Sequence, residues 1–289
     1  MSGSTRRDVL VIGAAGGVGR EVARLLSGRY RVTGTVRDPA QADAVTAFAP
    51  KIAAVHTLNL AGADADAVES SLDRILSSAA DLAAVIVCAA VCPNGPLETT
   101  PASVLRDTLE INAISHLRIF QRSMPLLRQT QGRLIFVSSY SGQVGMPFTG
   151  AYVASKFALE GMADVMRREV SKWGVPVILI QPGGIRTSMV TRQMAELKRK
   201  TAALSDAERA LYGDRYRQFA LLMDAGYPTA TPPLEVAKTI RRALQAARPK
   251  ARYRVGADAR QLLRLNEQRS DLAMDELCLQ FFAAVDPPP

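Results

Sequence analysis

Three side chains near the middle of the chain have types and spacing suited to moving a proton onto or off an oxygen atom. Tyr152 and Lys156 are four residues apart, and Ser139 lies thirteen residues before the tyrosine. Positions i and i+4 share one face of a helix, so the Lys156 ammonium is predicted to lie beneath the Tyr152 hydroxyl. A nearby cation favours the phenolate and lowers a phenol pKa that is ordinarily about 10. Tyr152 would then be a general acid or base, with Ser139 hydrogen-bonded to the reacting oxygen.

The Tyr-x-x-x-Lys spacing alone is weak evidence for a catalytic pair, because chance often produces it on solvated helix faces. Ser138 and Ser141 are alternatives to Ser139, although the thirteen-residue spacing favours Ser139. The interpretation therefore depends on the other motifs, which occur in a fixed order around this pair.

A glycine-rich turn follows an apolar strand at the start of the chain. Residues 9–12 are Val-Leu-Val-Ile, and Gly13, Gly17 and Gly19 then lead into a helical pattern. Glycines permit a tight turn and let backbone N–H groups approach a pyrophosphate at a helix N-terminus. This context of strand, turn and helix predicts a nucleotide site.

The residues after the second strand indicate which nucleotide is bound. Val36 stands where an acidic side chain would bind a ribose 2′-hydroxyl, and Arg37 follows it. A guanidinium neutralises and forks onto a 2′-phosphate, so NADP is favoured over NAD. The alternative is that Arg37 only forms a surface ion pair with Asp38.

Composition excludes several other classes of function. The 289 residues are 48% hydrophobic, which is enough for a large buried core, and the formal net charge is +9. The basic residues are dispersed and are not interleaved with aromatic residues, so no nucleic-acid partner is expected. The basic surface instead suits an anionic cofactor.

Cysteine, histidine and hydropathy patterns give the remaining exclusions. Three cysteines form no disulfide framework, and the two histidines lack zinc spacing, so no metal is expected. The N-terminus has no secretory pattern, and the longest apolar run, residues 82–92, is too short to span a bilayer. These features predict a soluble cytoplasmic protein without a membrane span.

Short β-branched runs alternate with amphipathic helical stretches as far as residue 181. Such alternation predicts an α/β fold, a doubly wound parallel sheet of the Rossmann type, with ligands at the carboxyl ends of the strands. We expect a single domain over residues 1–289. Within it, residues 188–231 form a helical substrate-loop insertion and residues 257–289 form a helical C-terminal extension.

With its motifs in this order, the chain resembles the short-chain dehydrogenase/reductase family from about residue 8 to residue 256. Its TGxxxGxG turn is matched by Ile12-Gly13 with Gly17 and Gly19, and its PGxxxT segment by residues 182–187. Asn112 matches the asparagine of the family's fourth helix and completes a catalytic set with Ser139, Tyr152 and Lys156. Residues 152–161 and 249–256 are similar to the 17β-hydroxysteroid and retinol dehydrogenase branch.

The resemblance implies hydride transfer between NADP(H) and a ketone, an aldehyde or an alcohol, with Tyr152 as the general acid or base. It implies that Lys156 bonds the nicotinamide ribose, and that Asn112 holds a water linking Lys156 to solvent. Asn112 could instead be only a helix kink or a buried polar residue, and Thr187 could merely cap the next helix. The implied cofactor-binding residues are Gly13, Gly17, Val18, Gly19, Arg37, Asn59, Leu60, Ala89, Ala90, Tyr152, Lys156, Pro182, Gly183, Ile185 and Thr187.

The insertion is predicted to roof a pocket for a bulky lipophilic carbonyl or alcohol. Met146, Phe148 and Met189 are the predicted substrate contacts. Further candidate lining residues are Cys92, Pro147, Met194, Leu197, Leu204, Leu211, Tyr212, Phe219, Leu222 and Met223. The alternative is that this apolar stripe packs only on the core. The resemblance also implies a homodimer or a homotetramer.

Two departures from the family pattern concern the cofactor side. Ile12 replaces the family's threonine, and residues 88–91, Cys-Ala-Ala-Val, replace its NNAG segment. Loss of polar groups on both sides is consistent with a joint apolar replacement, which is nearly neutral for stability. Two other functions stay open: an NADP-binding redox sensor, and a non-redox epimerase or dehydratase of the same family.

Overall fold

The computed structural model describes residues 6–61 and 65–284. Over these residues seven parallel strands form one sheet in the order β3-β2-β1-β4-β5-β6-β7. The strands are β1 (Asp8–Ile12), β2 (Arg31–Val36), β3 (Ala54–Thr57), β4 (Leu82–Val87), β5 (Arg133–Val137), β6 (Val177–Pro182) and β7 (Arg252–Val255). Strand order reverses between β1 and β4, so the predicted doubly wound sheet is confirmed.

Helices cover both faces of the sheet, because the central strands are apolar on both sides. The helices are α1 (Gly17–Leu26), α2 (Ala42–Phe48), α3 (Ala65–Leu76), α4 (Ala102–Leu109), α5 (Ser115–Thr130), α6 (Gly150–Glu169), α7 (Ser188–Ala202), α8 (Asp206–Gly226), α9 (Pro233–Gln245), α10 (Ala257–Gln268) and α11 (Asp271–Ala283). One core layer joins α1, α2 and α9 to the sheet, and the other joins α3, α5 and α6 to it.

Helices α7, α8, α10 and α11 form a second, smaller region, here called the lobe. Residues 188–231 contain α7 and α8, and a bridge between Ile185 and Thr231 closes this insertion at its base. In the lobe α8 contacts α11, so the insertion and the C-terminal extension pack together. Of the predicted single domain, residues 1–5, 62–64 and 285–289 lie outside the described residues.

No helix among residues 6–61 and 65–284 has the length and apolarity needed to cross a membrane.

Candidate active site

The structure brings Ser139, Tyr152 and Lys156 together at the carboxyl edge of the sheet. Ser139 follows β5, while Tyr152 and Lys156 lie on successive turns near the start of α6. The Ser139 hydroxyl lies within reach of the Tyr152 hydroxyl and lowers the pKa of the phenol. Lys156 Nζ lies 5.7 Å from the centre of the Tyr152 ring and donates to the Val137 carbonyl at 2.9 Å. One helix face and one strand end therefore set the spacing of all three groups.

The electrostatics of Tyr152 differ from the sequence-based expectation. Burial raises the pKa of Tyr152 above its ordinary value, and the hydrogen bond with Ser139 only partly lowers it. The expected pKa below the ordinary value is not found, because desolvation of the phenolate is the dominant cause. That Lys156 favours the phenolate stays a prediction. Burial also lowers the pKa of Lys156 to about 8. At neutral pH Tyr152 therefore holds a proton that it is able to donate.

Asn112 fixes the loop after β4 against α6. Asn112 lies in a short π-helical turn, Glu110–Ile114, between α4 and α5. Asn112 Oδ1 accepts from the Val91 amide at 2.9 Å, and Nδ2 donates to the Val91 carbonyl at 2.8 Å and to Ser155 Oγ at 2.9 Å. The Asn112 side chain thus connects Val91 to Ser155, the residue that precedes Lys156. That Asn112 holds a water beside Lys156 stays a prediction.

Close backbone approaches shape a cradle at the glycine-rich turn. Gly13 has φ +86°, and a Cβ atom there would lie 2.8 Å from the Ala89 amide nitrogen. A Cβ atom at Gly17 would lie 2.6 Å from Thr187 Cγ2. The N-cap residue of α1, Gly16, provides no side-chain hydrogen bond, which leaves the first amides of the helix for another acceptor. This cradle fits the pyrophosphate of a dinucleotide.

The tip of β2 presents an exposed cation. Arg37 is exposed and forms no ion pair with another described residue. Asp38, its possible partner, instead accepts from the Ala40 amide at 3.0 Å and caps a short 3-10 helix. The alternative of a surface pair between Arg37 and Asp38 therefore has no support in the structure, and the guanidinium is available to a phosphate.

Asn59 and Leu60 follow β3 at the same edge of the sheet. Asn59 Oδ1 accepts from the Ala61 amide at 3.0 Å, so this oxygen already stabilises a turn. Leu60 is buried in the core layer beneath α3 and α5. Ile12 and Ala89 pack in that same layer, in accord with the joint apolar replacement.

The segment after β6 crosses the cradle. Thr187 is the N-cap residue of α7, but its side chain makes no capping bond, so capping does not occupy its hydroxyl. Asp258 Oδ2, at the start of α10, accepts from the Gly184 amide at 2.7 Å. A Cβ atom at Gly183 would lie 2.0 Å from that same oxygen. Asp258 is not among the residues expected from the sequence, where its one signal is a carboxylate two residues after Gly256.

Several side chains that were predicted to line the substrate pocket pack against one another. Phe148 is only 7% exposed, and its ring stacks on Phe219 at 5.2 Å and meets the edge of Tyr216 at 5.0 Å. Phe282 of α11 joins this aromatic cluster. Phe148 therefore holds the lobe together, which agrees with the alternative of core packing. Leu211, a candidate lining residue, is 69% exposed on α8, and its contact with a substrate stays a prediction.

Other lobe contacts lie beside the catalytic residues. Met146 Sδ is 3.7 Å from Cys278 Sγ of α11, so the C-terminal extension reaches the wall that follows Ser139. Gln193 Nε2 donates to the Cys92 carbonyl at 2.8 Å and to Asn94 Oδ1 at 3.1 Å. Lys200 Nζ donates to the Asn94 carbonyl at 2.7 Å. The lobe is thus tied to the loop after β4, and contact of Met146, Phe148 or Met189 with a substrate stays a prediction.

Comparison with known proteins decides the family. A model of the short chain dehydrogenase family matches residues 7–198, which is more than half of the chain. The chain belongs to this family. It is therefore an NAD(P)-dependent oxidoreductase, and the predicted family is confirmed.

Several relatives match this chain over most of their length. A 3-amino-tetrahydro-pyrrolizinone reductase of Xenorhabdus hominickii is 29% identical over 260 residues, 89% of each chain. An NADPH-dependent 3-dehydrocapnine reductase of Ornithobacterium rhinotracheale is 30% identical over 256 residues, 86% of this chain and 87% of the relative. Human 17-beta-hydroxysteroid dehydrogenase type 1 is 28% identical over 258 residues, 86% of this chain and 77% of that enzyme. The chain therefore falls in the hydroxysteroid and retinol dehydrogenase branch.

A short-chain dehydrogenase from Streptomyces avermitilis has the same fold, with a TM-score of 0.75 at 23% identity. The alignment covers 97% of this chain and 99% of that one.

Proposed function

We propose that this protein is an NADPH-dependent reductase of bulky apolar ketones or aldehydes and that it also oxidises the corresponding alcohols. The observation that carries this proposal is the contact of Ser139 with Tyr152 above the buried Lys156, at the sheet edge that holds the glycine cradle. A redox sensor needs the cradle but has no need of this proton-donating set.

NADP is favoured over NAD by Arg37. Its guanidinium, at the end of β2, is exposed and forms no ion pair within residues 6–61 and 65–284, which suits a 2′-phosphate. A relative that is described as an NADPH-dependent reductase supports the same cofactor. Bound NADPH would supply the hydride, and the cradle of Gly13, Gly17 and Thr187 would hold its pyrophosphate.

The proton chemistry comes from the chain itself. In reduction the carbonyl carbon gains a hydride and its oxygen gains the Tyr152 proton, which gives the neutral alcohol. Ser139 is placed to hydrogen-bond that oxygen, and the Lys156 ammonium stabilises the phenolate that Tyr152 becomes. The methionine side chain of Met146, in the segment that follows Ser139, favours an apolar substrate.

The outer faces of α5 and α6 support the proposed homodimer or homotetramer. Ile114 immediately before α5, and Phe157 and Val165 on α6, are large apolar side chains that lie exposed. Burial of these side chains between two copies would remove them from water.

The proposal is tested by following NADPH consumption with apolar ketones, aldehydes and steroid carbonyls, with NADH and Tyr152→Phe in parallel. We expect turnover with NADPH, a fall of at least about 100-fold in Tyr152→Phe, and unchanged NADPH affinity in that variant. Because Lys156 loses its proton near pH 8, kcat/KM should fall above that pH. Tight NADPH binding without turnover would favour the sensor, and product formation without net NADPH loss would favour an epimerase or dehydratase.

A further inference from the structure

The face of α6 that carries the catalytic pair continues beyond it. Tyr152, Lys156, Glu160 and Asp164 follow one another at four-residue steps, so they form one row along the helix. Glu160 is only 4% exposed and lies one turn beyond Lys156. This buried carboxylate takes no part in the proposed chemistry. Burial of a charged carboxylate lowers stability unless hydrogen-bonding or ionic partners compensate the lost hydration.

Those partners come from two strands. Gln181 Nε2, at the end of β6, donates to Glu160 Oε1 at 3.1 Å. Arg252 of β7 donates through Nε to Glu160 Oε2 at 2.8 Å, and its Nη2 lies 2.9 Å from Asp164 Oδ1. Gly142 leaves the room that this arrangement needs, since a Cβ atom there would lie 2.6 Å from Glu160 Cγ. Both carboxylate oxygens of Glu160 are therefore fixed.

The other titratable groups around Lys156 carry no charge at neutral pH. They are Tyr152 on α6, His116 on α5, and Cys88 and Cys92 in the loop after β4. Burial raises the pKa of both thiols to about 12 and lowers the pKa of His116 to about 3. The described part of β5 contributes a carbonyl, that of Val137. Among these neighbours, the Glu160 carboxylate is the one with a full negative charge.

We propose that Glu160 is a positioning residue that supplies the counter-charge of the Lys156 ammonium, with Gln181 and Arg252 holding its carboxylate in place. Burial favours loss of the Lys156 proton, and the attraction of Glu160 opposes that loss. The inference rests on the proposed function, in which Lys156 acts as an ammonium group.

The experiment is an NMR titration of the full chain labelled on its lysine side chains. The sequence has seven lysines, and the signal absent from Lys156→Met is that of Lys156. In Glu160→Gln, which keeps the shape of the side chain, the pKa of Lys156 should fall by about one unit. In the same variant, the alkaline limb of the kcat/KM profile should move to lower pH by the same amount.

Asp164→Asn is the matched control. It also removes a carboxylate from Arg252, but at a position one turn further from Lys156, so the pKa of Lys156 should stay within about 0.3 units. A merely structural role of Glu160 predicts the opposite sign for Glu160→Gln, because loosening exposes Lys156 to water and raises its pKa. A rise or no change in Glu160→Gln therefore overturns the proposal.

If Glu160→Gln fails to fold, Glu160→Asp takes its place. Its carboxylate lies one methylene further from Lys156, so a pKa fall of a few tenths of a unit is expected, and no fall overturns the proposal. The titration needs no turnover. A wild-type protein without reductase activity would refute the proposed function while the pKa comparison still decides the role of Glu160.

Discussion

The cofactor edge of the sheet and the lobe are held together by different physical means. At the edge, close approaches to the glycine backbone form the cradle: the Ala89 backbone approaches Gly13, and the Thr187 methyl group approaches Gly17. In the lobe, stacked rings of Phe148, Phe219 and Phe282 fill the interior. The family model ends at residue 198, within α7, so most of the lobe lies outside it. Few side chains fit at a position where other atoms approach the backbone closely, whereas many combinations of apolar side chains can fill an apolar cluster.

This difference explains how one cofactor site serves many substrates. A packed apolar cluster keeps its stability when its side chains change together and total volume is kept. The cradle has no such freedom, because an added Cβ atom meets backbone or a neighbouring methyl group. The two regions meet where Gln193 and Lys200 bond the loop at Cys92 and Asn94.

The largest expected effect is in the lobe. Phe219→Ala should lower the free energy of unfolding by about 3 kcal/mol, because a buried ring is lost from the aromatic cluster. NADPH affinity should be nearly unchanged, since Phe219 does not border the cradle. Urea denaturation and NADPH fluorescence titration measure the two quantities. Leu221→Ala, at an exposed position of the same helix, should stay within about 0.5 kcal/mol. A loss of NADPH binding free energy in Phe219→Ala as large as its loss of stability would show that the lobe and the cofactor edge are energetically coupled.

The cradle is probed by Gly17→Ala. The new methyl group meets Thr187 Cγ2, so NADPH should bind about 30-fold more weakly, which corresponds to about 2 kcal/mol. Thr187→Ser removes that methyl group and should restore part of the affinity in the double variant. Gly28→Ala, where a Cβ atom meets no atom of the described residues within 4 Å, is the control. Full affinity in Gly17→Ala would place the pyrophosphate elsewhere.

The smallest effect concerns the choice between the two nicotinamide cofactors. Arg37→Gln should weaken NADPH binding about tenfold and leave NADH binding unchanged, because only NADPH carries the 2′-phosphate. Isothermal titration with each cofactor gives both affinities. Arg29→Gln serves as the control for net charge, since Arg29 lies in the turn between α1 and β2. A parallel loss for NADH would mean that Arg37 acts on the whole cofactor and not on its 2′-phosphate.

The sequence by itself determined the elements and the catalytic face. Alternating β and α patterns are local, and so is the four-residue step that places Tyr152 above Lys156. Glycine at a turn and arginine after a strand likewise report a local backbone requirement or a local charge. These signals predicted the sheet, the glycine cradle and the position of Arg37.

Tertiary structure alone decided the partners of those groups. Arg252 reaches Glu160 across 92 residues of sequence, and Asp258 reaches Gly184 across 74. The pairing of β6 with β7 brings Arg252 to α6, and no local pattern encodes that register. Burial, which raises the pKa of Tyr152, is likewise a sum over many distant atoms. A sequence motif names the reacting side chains, but the dielectric and the charges around them exist only once the chain has folded.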